Sequence, residues 1–148
     1  FEKKVKNTSM SNIGGYQSQA YPELELMPKD LASILRIKLN YLPDCEIINW
    51  WLNINRKENY NMSHTHPGAD ISGIYYITDN HGSLGFEHPL LHSRWSYIKA
   101  TKMDSSIYVN AKAGSLLLFP SDLRHFVKPH TEDQPRISLA MNMKFKMN

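Results

Sequence analysis

Apolar and polar positions change rhythm once along this chain. Before residue 46 the sustained pattern is helical. Leu31, Ile34, Leu35, Leu39 and Leu42 recur at helical spacing and draw one apolar stripe over about three turns. Pro28 suits the first turn, Asp30 suits the positive end of the helix dipole, and Pro43-Asp44 is a stop. The spacing thus predicts a helix over 28–42 that packs on a sheet. From Glu46 onward the texture changes to short β runs, over 46–55, 59–64, 71–78, 83–87, 106–110, 114–119, 124–128 and 136–145. Turn-forming clusters such as Asp79-Asn80-His81-Gly82 and Pro120-Ser121-Asp122 separate them. Strands this short, with regular turns and no alternating helices, predict a mainly β sandwich or jelly roll rather than βαβ units.

Two stretches stand outside this pattern. Residues 1–26 are polar and irregular and are expected to form an arm that wraps the domain and reaches the site mouth. Residues 88–105, which include Trp95 and Tyr97, are the longest break in the sheet pattern and a candidate substrate-facing insertion. At 148 residues the chain reads as one domain, 1–148, with an arm (1–26), a helix (28–42) and a jelly roll (46–145).

Composition narrows the function classes. No apolar run approaches the roughly 18 residues of a membrane span, and the start carries no secretory-signal pattern. The single cysteine, Cys45, suits a reducing compartment, so a cytoplasmic protein is expected. A formal charge of +3 permits an anionic ligand without indicating nucleic acid.

The chemistry gathers at Ser63-His64-Thr65-His66-Pro67-Gly68. Histidines at i and i+2 project from one face of an extended chain, a placement from which both can converge on one metal ion. Downstream, the strand ending at Phe119 turns through Pro120-Ser121-Asp122, and His125 begins the next strand. His64, His66 and His125 would satisfy a metal that needs three protein ligands and open positions. The other histidines, His81, His88, His92 and His130, fall in turn-like segments and are not assigned as ligands. Arg136 and Ser138 share a strand face, and a buried guanidinium there needs an anionic partner. Tyr76 is the tyrosine expected to assist them; a surface pair of Arg136 with Glu132 or Asp133 is the alternative. The residues alone leave four readings: a non-haem iron centre with a 2-oxo acid, a cupin-type metal protein, a zinc hydrolase or lyase, and a non-catalytic sandwich.

The ordered set His64-x-His66-Pro67, Ser72-Gly73-Ile74-Tyr75-Tyr76, Gly114-x5-Pro120-Ser121-x3-His125 and Arg136-x-Ser138 resembles the 2-oxoglutarate- and Fe(II)-dependent oxygenases, in a small branch common in phages and bacteria. The likeness runs from about residue 12 to the end and includes Gly14-Gly15-Tyr16-Gln17-Ser18 and Asn53-Ile54-Asn55. It implies a double-stranded β-helix, with Fe(II) held by His64, His66 and His125. It implies 2-oxoglutarate as co-substrate, gripped by Arg136 with Ser138 and Tyr76, and O2 as oxidant. The implied activity is hydroxylation of a substrate with decarboxylation of 2-oxoglutarate to succinate. A protein side chain, a small molecule and a nucleobase all stay open as that substrate. The chain departs from the family pattern at the second ligand, where His66 stands in place of Asp or Glu. Asp70, four residues on, is the reserve donor. A cupin-type dioxygenase, isomerase or binding module remains the alternative, and Arg136-x-Ser138 is the feature that tells against it.

Overall fold

A computed structural model describes residues 11–22, 24–42, 44–91 and 94–146. His92 and Pro43, and the polar arm up to Met10 with Glu23, lie outside the described residues. In chain order the elements are β1 (Asn12–Ile13), β2 (Tyr16–Gln17), a 3-10 turn (Leu24–Leu26), α1 (Lys29–Leu39), β3 (Cys45–Asn55), β4 (Tyr60–His64) and β5 (Ile71–Tyr76). There follow β6 (Leu84–Glu87), α2 (Trp95–Thr101), β7 (Ser106–Val109), β8 (Leu116–Pro120), β9 (His125–Val127) and β10 (Arg136–Phe145). Each of the eight expected strands is present, with ends moved by at most two residues.

The strands form two antiparallel sheets. One has the order β2-β3-β10-β5-β8 and the other β1-β4-β9-β6-β7. From β3 onward every connection except β6–β7 crosses from one sheet to the other. This winding is the double-stranded β-helix, and it leaves a space between the sheets.

The first sheet uses both faces because its strands alternate. On β10, Leu139, Met141 and Met143 point one way, and with Trp50 and Tyr75 they form the core on which α1 lies. Leu31, Leu35, Leu39 and Leu42 of the predicted stripe pack there. Ile34 does not; it is 39% exposed, so the buried stripe is narrower than its spacing suggests. Helix α1 ends at Leu39, and Leu42 reaches the core from the following turn. Pro28 is its N-cap, with Ala32 N donating to Pro28 O at 2.9 Å.

The opposite face of the same sheet points into the space between the sheets. Trp51, Asn53 and Asn55 of β3 lie there beside Ala140, Ser138 and Arg136 of β10, their partners in register. Ser138 also pairs with Tyr76 of β5. Among the described residues, no helix is long and apolar enough to cross a membrane.

The described part of the arm is ordered by pairing. Strand β1 adds to β4 in one sheet and β2 adds to β3 in the other, so a single hairpin ties the two sheets together. Gly14 takes φ +78°, and a Cβ on Gly15 would fall 2.5 Å from Asn12 Oδ1 and 2.8 Å from Ile54 O. Both positions therefore call for glycine. Segment 88–105 is less irregular than expected, since it contains α2.

Candidate metal centre

His64 ends β4 and His125 opens β9, and the two are direct partners across the strands. His66 lies two residues beyond β4, its backbone N–H donating to Ser121 O at 2.9 Å. Ser121 fastens this turn further: its N–H donates to Asp70 O and its hydroxyl to Ala69 O. One buried serine thus fixes the loop that presents His66. The three rings meet, with centroids 4.3 Å (His64–His125), 4.9 Å (His64–His66) and 5.0 Å (His66–His125) apart. One nitrogen from each lies within 4.8 Å of the others.

Backbone carbonyls settle the tautomers. His64 Nδ1–H donates to Met62 O at 2.6 Å and His125 Nδ1–H to Leu123 O at 3.0 Å. A carbonyl only accepts, so in each neutral ring the lone pair is on Nε2. His66 Nε2 lies 3.2 Å from His125 Nε2. His125 Nε2 carries the lone pair, so at that distance either His66 Nε2–H donates to it or a cation stands between two lone pairs. Burial, with the neighbouring histidines, pushes His66 down to about 3; burial and His64 bring His125 to about 4, against the pull of Leu123 O. His64 is lowered as well, mainly by burial. All three are therefore neutral imidazoles at neutral pH, the form in which histidine binds a metal. Phe86 and Phe119 pack against His125 and keep that side apolar.

Asp70 does not join them. Its Oδ2 accepts from Phe145 N at 2.9 Å, at the end of β10, and it is not part of the histidine cluster. The reserve donor is thus set aside by a loop that turns it outward. His130 is buried with Nε2 against Gln134 O (2.7 Å), and Leu90 N donates to His88 Nδ1, so these histidines serve the backbone.

Arg136, Ser138 and Tyr76 line the same cavity as the three histidines. Arg136 is 4% exposed, so the surface pair with Glu132 or Asp133 does not form. Burial lowers its pKa to about 10, opposed by the nearby Tyr76, and it stays a cation at neutral pH. Burial likewise raises the Tyr76 phenol, which keeps its proton, with Asn80 and Arg136 acting the other way. Ser83, which the sequence pattern did not single out, accepts from Arg136 Nη1 at 2.6 Å.

A second, wider cavity of about 600 Å³ adjoins this one. Ser11, Trp51, His64 and His66 border both. The lining of this second cavity includes Gln17, Ser18 and Ala20 of the arm. No described residue of 88–105 lines either cavity, and Trp95 and Tyr97 are exposed elsewhere. Of the other aromatics, Trp50 is core and stacks on Tyr21, whereas Trp51 touches the His66 ring at 5.3 Å.

Asparagines form a second feature missed from sequence. Asn12 Nδ2 donates to Asn55 Oδ1 (3.1 Å), Asn55 Nδ2 to Asn61 Oδ1 (3.4 Å) and Asn61 Nδ2 to Ser11 Oγ (3.3 Å). Ser11 Oγ in turn lies 3.5 Å from His64 Nε2. Asn53 differs, for its Oδ1 is buried with no hydrogen-bond partner.

Comparison with solved structures shows the same fold in distant proteins. HygX from Streptomyces hygroscopicus, crystallised with nickel and 2-oxoglutarate bound, superposes with a TM-score of 0.63 at 13% identity, covering 98% of this chain and 75% of its own. A prolyl-4-hydroxylase from Pseudomonas putida gives 0.62 at 16% identity, covering 99% and 79%. An oxidoreductase of the 2OG-Fe(II) oxygenase family from Burkholderia pseudomallei gives 0.65 at 13%, covering 97% and 74%. No curated protein sequence matches the chain. The family model described as "Putative 2OG-Fe(II) oxygenase" matches residues 49–142, well over half of the chain, from within β3 to within β10. The chain belongs to the 2OG-Fe(II) oxygenase family, enzymes that work with Fe(II) and 2-oxoglutarate.

Proposed function

We propose that His64, His66 and His125 hold the Fe(II) through their Nε2 atoms and that Arg136, Ser138 and Tyr76 hold 2-oxoglutarate. The observation that carries this reading is the sharing of one cavity by three neutral imidazoles and one buried guanidinium that has no carboxylate pair among the described residues. Iron and 2-oxoglutarate together supply an O2-dependent oxidation in which one oxygen atom goes to the substrate while 2-oxoglutarate becomes succinate and CO2. This chain's residues do the rest. Arg136 pairs with the distal carboxylate, a bidentate match for its planar fork. Ser138 and Tyr76 add hydroxyl donors from the adjoining strands. Phe86 and Phe119 exclude water beside His125.

Three neutral ligands leave the metal with its full +2 charge, which favours a dianionic co-substrate more than the usual pair of histidines and a carboxylate does. The substrate, a protein side chain, small molecule or nucleobase, enters by the wider cavity and meets Trp51 and the arm. We read the chain as one oxygenase domain, cytoplasmic in keeping with its lone thiol at Cys45, and of the phage-and-bacterial branch its motifs resemble. The test is O2-dependent conversion of 2-oxoglutarate to succinate by the iron-loaded protein. Turnover that disappears in His125→Ala and Arg136→Ala is expected. Equal succinate formation by either variant contradicts the assignment.

A further inference from the structure

Three asparagine amides from β1, β3 and β4 bond to one another, and a fourth, on β3, does not. Asn55, Asn12 and Asn61 satisfy each other in a chain that ends at Ser11. Asn53 stands two residues from Asn55 on the same strand face, yet its Oδ1 is buried and unpartnered. Buried side-chain polar atoms are mostly bonded, and an exception on a ligand cavity points to the ligand. A half-turn of the terminal torsion exchanges the two ends of an amide, so Asn53 can present either its carbonyl or its N–H groups.

The register says what it would meet. Asn53 pairs with Ser138; the rung on one side is Asn55 with Arg136, and on the other Trp51 with Ala140. Trp51 touches His66. Asn53 therefore stands along the cavity between the guanidinium and the histidines, where a 2-oxo acid spanning the two passes by.

We propose that Asn53 is a binding residue for the co-substrate, donating from its amide to the 2-oxo-carboxylate end rather than to the end that Arg136 holds. The inference rests on the 2-oxoglutarate reading above. It also explains why an unpaired amide is kept inside a fold that satisfies its neighbours. An aliphatic residue of the same size would suit the ligand-free protein better.

The experiment titrates 2-oxoglutarate and pyruvate into Zn(II)-loaded wild type, Asn53→Ala and Asn53→Leu, and melts the same proteins without ligand. Pyruvate keeps the 2-oxo-carboxylate end and lacks the distal carboxylate. We expect both acids to bind each variant about tenfold more weakly, in line with one charge-assisted hydrogen bond. Zinc affinity should be unchanged, and ligand-free Asn53→Leu should melt at or above the wild type. Variants that bind both acids like the wild type overturn the proposal, as does a loss confined to 2-oxoglutarate. A ligand-free Asn53→Leu that melts well below the wild type assigns Asn53 to the fold and overturns it too. A wild type that binds neither acid removes the underlying 2-oxoglutarate reading, a different failure.

Discussion

Arg136 Nη1 donates to Ser83 Oγ at 2.6 Å, and that hydroxyl in turn donates a hydrogen bond to Asn80 O at 2.6 Å. A buried guanidinium thus rests on a neutral hydroxyl. No ion pair among the described residues involves it. Removing a cation from water without a counter-charge costs several kcal/mol, so the fold holds Arg136 at the expense of its own stability. Arg136→Met should accordingly leave the ligand-free protein as stable as the wild type or more so. The same variant should weaken 2-oxoglutarate binding by roughly a hundredfold, the effect of losing a charged bidentate partner. Thermal melts with and without 2-oxoglutarate check both halves. A strongly destabilised variant would make Arg136 a structural residue.

The Nε2 atoms of His66 and His125, 3.2 Å apart, make the metal prediction direct. His125→Ala should lower metal affinity by roughly a hundredfold or more, beyond what losing an outer-shell partner costs. His66→Asp restores the carboxylate usual in the family. It should keep metal binding while loosening the 2-oxo acid, because the site's charge falls by one unit. Equilibrium dialysis with metal quantification reads both, and full metal retention by His125→Ala would break the triad.

Acid should act through the same rings. The fold favours neutral imidazole, so as pH falls below about 6.5 the unfolded chain takes up protons first. Metal-free stability is therefore intact above that value. It declines as pH falls toward about 4 and about 3, where His125 and His66 titrate in the fold. His66→Gln should flatten the slope. Parallel melting curves for the two proteins across pH 4–7 would contradict the burial argument.

The hairpin that joins the sheets offers a test away from the metal. Gly15→Ala drives a methyl into Asn12 Oδ1 and Ile54 O, at 2.5 and 2.8 Å. Overpacking of this kind costs about 1–3 kcal/mol. Chemical denaturation should show that loss, and an unchanged midpoint would mean that the hairpin is loosely attached.

Much of this was legible because alternation survives wherever a strand has two different faces. On β10, Arg136 and Ser138 alternate with Ile137 and Leu139, and the pairing of polar cavity and apolar core follows. His64 and His66 were legible from their spacing, although His66 lies beyond β4 and is presented by the loop that Ser121 fastens. Helix α2 was not, because Ile98 is its one buried residue and a single contact leaves no period. Strands β1 and β2 have two residues each, too few to alternate. Asp70 misled by proximity: four residues from His66 along the chain, it is drawn to Phe145 N by a partner 75 residues away. The support of Arg136 by Ser83, 53 residues earlier, is likewise a product of the winding rather than of any motif.

The most direct test of the central claim is an anaerobic titration of the metal-free protein with Fe(II) and then 2-oxoglutarate, followed by visible absorption. The account predicts a metal-to-ligand charge-transfer band that needs both components and is lost in Arg136→Met at the same concentrations. Iron binding without the band would contradict the placement of 2-oxoglutarate in this cavity, and no iron binding at all would contradict the three-histidine centre itself.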